Sequence, residues 1–319
     1  MPPGIRVFTV VCASLLAAAG DVFWLSQLPS YGKPGLQGWG LGTGAGLVIG
    51  AILPYWVTVI IGGFFRDSIP YLSFAVVVLL VAHFALLPRA PTPRMRTAAG
   101  SGLKPDQEDE AVEETAHFLI QDDTSALPMT SRQKLHSSIR TLSALAYPFI
   151  LPLLICSAGQ ALTYSGFSRA MATTSSFDRY TAYLAAYGLV FQLGNLTGRS
   201  SLLVSRVPVP DTRTLIAAMA LGAGAVLLNA VFLFASSTVV VFPLIFAVGV
   251  SVGLVYVETF AATVERPASS ATEREFSLGA VGVGEPVGLL LGGLIGYFLE
   301  RTLCEMEYGS GERWCDTTR

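Results

Sequence analysis

The residues of this chain that could do chemistry are ionisable side chains within or beside long apolar runs. They are Asp21, Glu258, Glu285 and Arg199, with Gln160, Gln192, Asn195 and Asn229 as uncharged companions. A charge at membrane depth costs roughly 2.5–3.5 kcal/mol on insertion scales, so each one needs a partner or a water-filled cavity. The guanidinium of Arg199 could pair with a carboxylate or hold an anionic solute group. The carboxylates could hold a cation or exchange a proton.

Among the carboxylates, Glu258 is the first candidate for a substrate or proton pathway, because it lies near the end of an apolar run beside small and aromatic residues. An interfacial glutamate solvated by water is the simpler alternative. Glu285 precedes Pro286 and could line a kink, or it could be a polar residue that serves helix packing. Asp21 has the weakest case, since it lies near the end of its run.

The elements that must position these residues are apolar runs of membrane-spanning length. Hydrophobic residues make up 52% of the 319 residues and charged residues only 13%, about half the share of soluble domains. Backbone polar groups inside a bilayer must be satisfied internally, so such runs predict helices. The sequence therefore predicts an all-α polytopic membrane bundle with about eight spans, at residues 5–25, 40–64, 69–88, 141–164, 179–198, 214–234, 239–262 and 276–299.

Prolines and glycines inside the runs predict their local shape. Kinks are expected at Pro54, Pro148, Pro152, Pro243 and Pro286. Glycines at every fourth position predict ridges where helices approach closely, at Gly42, Gly46 and Gly50 and again at Gly284, Gly288, Gly292 and Gly296.

The segment 89–140 differs in composition from the runs around it. It is polar, rich in proline at its start, acidic over residues 106–114 and basic before the next run. Such a composition cannot bury enough apolar surface to order itself, so we expect a mostly disordered loop. The chain is thus divided into a first helical bundle over 1–88, the loop, a second bundle over 141–303 and a short tail over 304–319.

Lysine and arginine set the orientation of membrane spans. A cytosolic 89–140 loop places most basic residues in the cytosol, yet it puts the N-terminus outside although Arg6 precedes the first run. We therefore expect further spans upstream of Met1, with a signal peptide over residues 1–19 as the alternative. The tail would be luminal, where Cys304 and Cys315 could form a disulfide.

Several classes of protein are disfavoured by the residues themselves. The net charge of −2 does not suggest nucleic-acid binding. No C-x-x-C pair, metal-ligand cluster or pairing of a nucleophile with a base is present, so neither a metal, a cofactor nor an enzyme is expected. A glycine pattern at residues 40–45 resembles a dinucleotide fingerprint, but it opens an apolar run without a preceding strand.

Several motifs, in order along the chain, carry a resemblance to a known family. They are Gly20-Asp-Val-Phe, WGLGTGAG at 39–46, the stretch 187–201 ending in Gly-Arg-Ser-Ser, GLVYVETF at 253–260 and Glu-Arg-Glu-Phe at 273–276. Together they resemble the battenin family of lysosomal and vacuolar membrane proteins. The resemblance implies a major-facilitator-like fold of two helical halves joined by a cytosolic loop, and a chain that begins near the family's fourth span.

The resemblance also implies a location and a set of activities. Battenin-like proteins lie in the vacuolar or lysosomal membrane and are linked to pH homeostasis, basic amino acid transport and glycerophosphodiester export. Arg199 would then hold a phosphate, or Glu258 or Glu285 an amino acid's cation. Gln160 occupies a position where the family commonly has an acidic residue, and an amide cannot carry a proton.

The loop adds a possible partner. Glu110, Glu113 and Glu114 precede Leu119 and Ile120, which resembles the family's acidic dileucine sorting signal and implies a sorting adaptor. A solvated acidic segment with a chance Leu-Ile pair is the alternative. For the whole protein, the alternative to a solute transporter is a membrane adaptor that holds trafficking or pH-regulating partners without transporting anything.

Overall fold

The computed structural model describes residues 3–63, 131–171, 179–203, 211–232, 237–267 and 271–305, together with residues 81 and 177. Every element that these residues form is helical. Apart from residue 81, the predicted run at 69–88 lies outside the described residues. So do the sorting signal (Glu113, Glu114, Leu119, Ile120), the 306–319 part of the tail and the side chain of Cys304.

The helices are numbered here in chain order. The N-terminal pair is α1 Pro3–Gln27, followed by a 3₁₀ turn Leu28–Tyr31, and α2 Gly32–Tyr55, which continues into a π-helical turn Trp56–Ile60. The later helices are α3 Ser131–Leu145, a π turn Ala146–Ile150, α4 Leu151–Ala161, a π turn Leu162–Gly166, α5 Ser168–Met171, α6 Tyr180–Arg199, a 3₁₀ turn Ser200–Leu203, α7 Thr212–Phe232, α8 Thr238–Glu265, α9 Ala271–Gly282 and α10 Gly284–Glu305.

Among the described residues, five helical segments are long and apolar enough to cross a membrane: Pro34–Ile60, Ser138–Tyr164, Thr212–Phe232, Thr238–Glu265 and Glu273–Leu303. Helices α1 and α6, which lie outside these five, coincide with two further predicted runs. Large apolar side chains are exposed on several of the segments, for example Leu221, Val239 and Phe298. That pattern is typical of surfaces that face lipid. The prediction of an all-α polytopic membrane protein is confirmed.

Some of the prolines coincide with irregular turns, as predicted. Pro148 lies in a π-helical turn, and Pro54 comes just before another. Pro286 has no N–H to give to the carbonyl of residue 282, and the helix breaks at Val283, between α9 and α10. Pro243, by contrast, lies inside the uninterrupted helix α8. The last predicted span is therefore two helices, and Glu285 lies in the first turn of the second.

Two pairs of helices cross at glycines. Gly194 and Gly198 of α6 face Gly249 and Gly253 of α8, and a methyl group in place of hydrogen at any of them would overlap a backbone carbonyl oxygen of the other helix. Such small-residue ridges let two helix backbones meet directly. The glycines of each pair are four residues apart, as in the ridges predicted from sequence on other helices, so this crossing was also recognisable from the sequence.

The predicted glycine ridge of the last span is confirmed. Gly288 and Gly292 of α10 lie against the carbonyl oxygens of Leu154 and Ala158 of α4, and Gly296 lies against Gly166. No atom that the structure describes lies within 4 Å of a methyl group added at Gly42, Gly46 or Gly50, so the ridge predicted on α2 stays a prediction.

The N-terminal helices pack against helices from the far end of the sequence. Val22 and Leu25 of α1 lie next to the glycines Gly279 and Gly282 of α9. On α2 it is Gly40 and Gly44 that approach α6 and α8, at the atoms of Val257, Leu196 and Arg199. The segments before and after the loop are therefore joined by direct helix contacts, and those at α2 surround Arg199.

Neighbouring glycines of α10 give a matched test of this packing. A Gly292→Ala change should destabilise the protein by about 1–3 kcal/mol, because the methyl group has to displace the Ala158 backbone. Gly293→Ala is the control, since its added methyl group meets no described atom within 4 Å. The thermal midpoints of the two purified variants should differ, with Gly292→Ala lower. Equal midpoints would contradict the proposed close contact of α4 and α10.

Candidate functional site

The centre of the candidate site is the guanidinium of Arg199, the last residue of α6. Its side chain is only 3% exposed. The Nε group donates to Asn195 Oδ1 at 2.9 Å, one turn earlier on the same helix, and one terminal nitrogen donates to Thr43 Oγ1 of α2 at 2.7 Å. Asn195 is itself fully buried, and its amide nitrogen lies 3.4 Å from Gln192 Oε1. Asn195, which the sequence offered only as an uncharged companion of the ionisable residues, thus bonds directly to Arg199.

An aromatic pair supports the flat face of this guanidinium. The ring centroid of Tyr256 of α8 lies 3.8 Å from Arg199 Cζ, a distance typical of cation–π stacking. Trp39 Nε1 of α2 donates to the Tyr256 hydroxyl at 3.0 Å. The two aromatic residues therefore connect α2 to α8 beside the contact between Thr43 and Arg199.

Glu285 is the counter-ion of Arg199. Its Oε1 atom lies 3.8 Å from the second terminal nitrogen, which is an ion-pair distance and too long for a hydrogen bond. The carboxylate lies in the first turn of α10, where the helix dipole favours negative charge. Its side chain is 21% exposed, against 3% for Arg199, so the ion pair is reached from the Glu285 side.

Two more groups lie close to this ion pair. Asp21 of α1 is within electrostatic range of Arg199, Glu285 and Tyr256. Cys156 of α4 is buried, and it is within electrostatic range of Arg199 and Glu285. Residues of α2, α6, α8 and α10 thus contact the guanidinium, and α1 and α4 add Asp21 and Cys156 within electrostatic range of it.

Helical spacing explains why these particular residues meet. Trp39 and Thr43 are four residues apart on α2, as are Asn195 and Arg199 on α6, so each pair lies on one face of its helix. The glycines Gly40 and Gly44 remove side-chain bulk on the neighbouring face of α2, so that the helix can approach α6 closely. The glycines of α2 therefore allow the close approach at which Thr43 and Trp39 make their hydrogen bonds.

Glu258, the first candidate from sequence, lies outside this cluster. It follows Tyr256 by two residues, which is about 200° around a helix, so it is on the opposite side of α8. Glu265, further along the same helix, is within electrostatic range of Glu258. Gln160 is half-buried on α4, one turn beyond Cys156 and on the same face. The roles of both in a substrate or proton pathway stay predictions.

The arrangement leaves one edge of the guanidinium for a ligand. Two of its five N–H groups donate to Asn195 and Thr43. One face is stacked on Tyr256, and the three remaining N–H groups belong to the two terminal nitrogens, one of which lies beside Glu285; this is the open edge. Such an edge binds a carboxylate or a phosphate through two parallel hydrogen bonds. Within the described residues, no group of three His, Cys, Asp or Glu side chains could hold a metal ion.

Sequence reasoning missed Thr43, Trp39 and Tyr256. A threonine and two aromatic residues are ordinary in an apolar helix, and only their place in the 39–46 and 253–260 motifs marked them out. It also missed an ion pair between Arg169 Nη1 and Glu300 Oε1, 3.0 Å apart. That pair joins α5 to the end of α10, where Arg169 also lies over the Tyr180 ring at 5.2 Å.

Apolar helices of membrane-spanning length around a buried, partly accessible ion pair define a multi-spanning membrane protein with a polar site between its helices. Residues 3–306 match the family described as CLN3 protein. The chain belongs to this family, and the resemblance to battenin is confirmed.

Fungal relatives extend the same match. The chain is 29% identical to Protein BTN1 of Chaetomium globosum, over 98% of this chain and 72% of the relative. It is 28% identical to Protein btn1 of Aspergillus fumigatus, over 96% of this chain and 70% of the relative. It is 28% identical to Protein btn-1 of Neurospora crassa, over 98% of this chain and 72% of the relative. No solved structure matches the chain.

Removing one partner of the buried pair should destabilise the protein. Arg199→Gln leaves Glu285 without its counter-ion, which typically costs about 3–5 kcal/mol. The thermal midpoint of Arg199→Gln should fall well below that of Arg213→Gln, an exposed arginine of α7. The double variant Arg199→Gln/Glu285→Gln should lose less than the sum of the single changes. Strict additivity would contradict a direct interaction between the two charges.

Proposed function

We propose that the protein carries a small solute across the vacuolar, lysosome-like membrane and that Arg199 binds the solute's anionic group. The observation that supports this is a guanidinium buried among apolar helices, with its open edge beside a partly exposed carboxylate. Charged groups at membrane depth are found mainly where a substrate, an ion or a proton passes. The location and the link to vacuolar pH follow the resemblance to the battenin family.

Two solute classes fit the chemistry of the edge. A glycerophosphodiester would place its phosphate oxygens on the terminal nitrogens of Arg199, in place of Glu285. A basic amino acid would place its carboxylate there and its cationic groups near Glu285 and Asp21. In both cases the ligand exchanges with the existing ion pair, so the buried guanidinium is never left without an acceptor.

Solute flux tests the proposal. Proteoliposomes that contain the full-length protein should take up radiolabelled L-arginine or glycerophosphoglycerol, with a pH gradient across the membrane. Arg199→Lys should reduce uptake at least about tenfold, because a lysine keeps the charge but lacks the planar two-point edge. Arg213→Gln should behave as wild type. The transporter hypothesis fails if wild-type protein moves neither solute, which would favour the adaptor alternative.

The two candidate glutamates can be separated in the same assay. Glu285→Gln should impair uptake strongly, because the site loses the group that exchanges with the ligand and can carry a proton. Glu258→Gln should have the smaller effect, because Glu258 lies on the other side of α8. A larger loss with Glu258→Gln would move the transport site away from Arg199.

A further inference from the structure

The groups that contact Arg199 also connect the segment before the long loop to the segment after it. Thr43 and Trp39 belong to α2, before the long loop, whereas Arg199 and Tyr256 belong to α6 and α8, after it. The hydrogen bonds from Arg199 to Thr43 and from Trp39 to Tyr256 are 2.7 Å and 3.0 Å long. At this level α2 is also close-packed, because a methyl group on Gly44 would lie 3.0 Å from Leu196 Cδ1.

The opposite ends of the same helices are joined more loosely. Arg179, which precedes α6, donates to the carbonyl oxygen of Gly62, which follows α2, at 3.1 Å. Both residues are exposed. Since residue 43 meets residue 199 and residue 62 meets residue 179, α2 and α6 run antiparallel, and a polar connection is present at each end.

A ligand can reach the guanidinium at its two terminal nitrogens, one of which bonds to α2. Its Nε edge is taken by Asn195 of its own helix, and its face by Tyr256. A carboxylate or phosphate that binds both terminal nitrogens takes the place of Glu285 and brings a charged acceptor to the nitrogen that bonds Thr43. A charged acceptor binds a guanidinium more strongly than a neutral hydroxyl does, so the bond to Thr43 is weakened. Arg199 would keep its bond to Asn195 while it loses the bond to α2.

We propose that Arg199 is a ligand-released latch: without solute it ties α2 to α6 and α8 through Thr43, and an anionic solute group breaks that tie. The inference rests on the proposed function for the identity of the solute. Binding then favours separation of α2 from α6 at the Arg199 end, because the ligand binds more tightly to the conformation in which the hydrogen bond between Arg199 and Thr43 is broken. Solute binding and the separation of α2 from α6 are then a single step.

The reactivity of the native thiol of Cys156 can be used to measure the separation of α2 from α6. Cys156 is 1% exposed, lies near Arg199 and Glu285, and its Sγ is 3.9 Å from the carbonyl oxygen of Val252. The experiment uses full-length protein in nanodiscs with the other cysteines replaced by serine, and it measures the rate at which a small charged maleimide modifies Cys156. A further Cys156→Ser change supplies the background.

Thr43→Val tests the latch without any ligand. It has nearly the same volume but lacks the hydroxyl, so Cys156 should react about two- to tenfold faster, as expected from the loss of one hydrogen bond. Thr43→Ser keeps the hydroxyl and should restore the wild-type rate. Thr302→Val is a control, because that hydroxyl bonds only within α10, to Phe298. An unchanged rate in well-folded Thr43→Val protein would overturn the latch.

Repeating the labelling with each solute added distinguishes the latch from the transport proposal. L-arginine and glycerophosphoglycerol are added in turn, and the one that is transported should accelerate modification of wild-type Cys156 but hardly change the already fast Thr43→Val rate. Protection of Cys156 by a transported solute would overturn release by ligand. If neither solute is transported while Thr43→Val still exposes Cys156, the latch stands and the transport proposal falls.

Discussion

A buried guanidinium among apolar helices is the constraint on which the rest of this site depends. Charge at that depth is tolerable only if its hydrogen-bonding groups and its charge are matched locally. Asn195 matches the Nε edge, Thr43 and Glu285 the terminal nitrogens, and Tyr256 the face. Because these four residues come from four helices, satisfying Arg199 fixes how α2, α6, α8 and α10 meet.

Glycines make that meeting possible. The α6–α8 crossing at Gly194, Gly198, Gly249 and Gly253 brings the two backbones into direct contact, and Gly44 lets α2 reach the Arg199 side chain. Without a hydrophobic driving force between helices in lipid, this close packing and the polar contacts beside it are the main sources of association. Packing and polar recognition are therefore served by adjacent positions of the same helices.

The sequence was sufficient for the membrane helices and for half of the site. Length and hydropathy identify spans because bilayer thickness dictates them, and Pro286 marked the break before α10. Arg199, Glu285 and Asn195 were recognisable because charge and amide groups are conspicuous in apolar runs. Thr43 and Tyr256 were not, since their role depends on which helix face meets which, and hydropathy does not determine that. Glu258 ranked first for the same reason: helical spacing puts it opposite Tyr256 on α8, but only the packing shows that the Tyr256 side is the one that meets Arg199.

The central claim is that a solute binds at the open edge of Arg199. An experimental structure of the full-length protein with saturating solute tests it most directly. The account predicts solute density within hydrogen-bond distance of both terminal nitrogens of Arg199, with Thr43 and Glu285 moved away from them and Asn195 still in place. Solute density elsewhere, with the contacts of Arg199 to Thr43 and Glu285 unchanged, would contradict it.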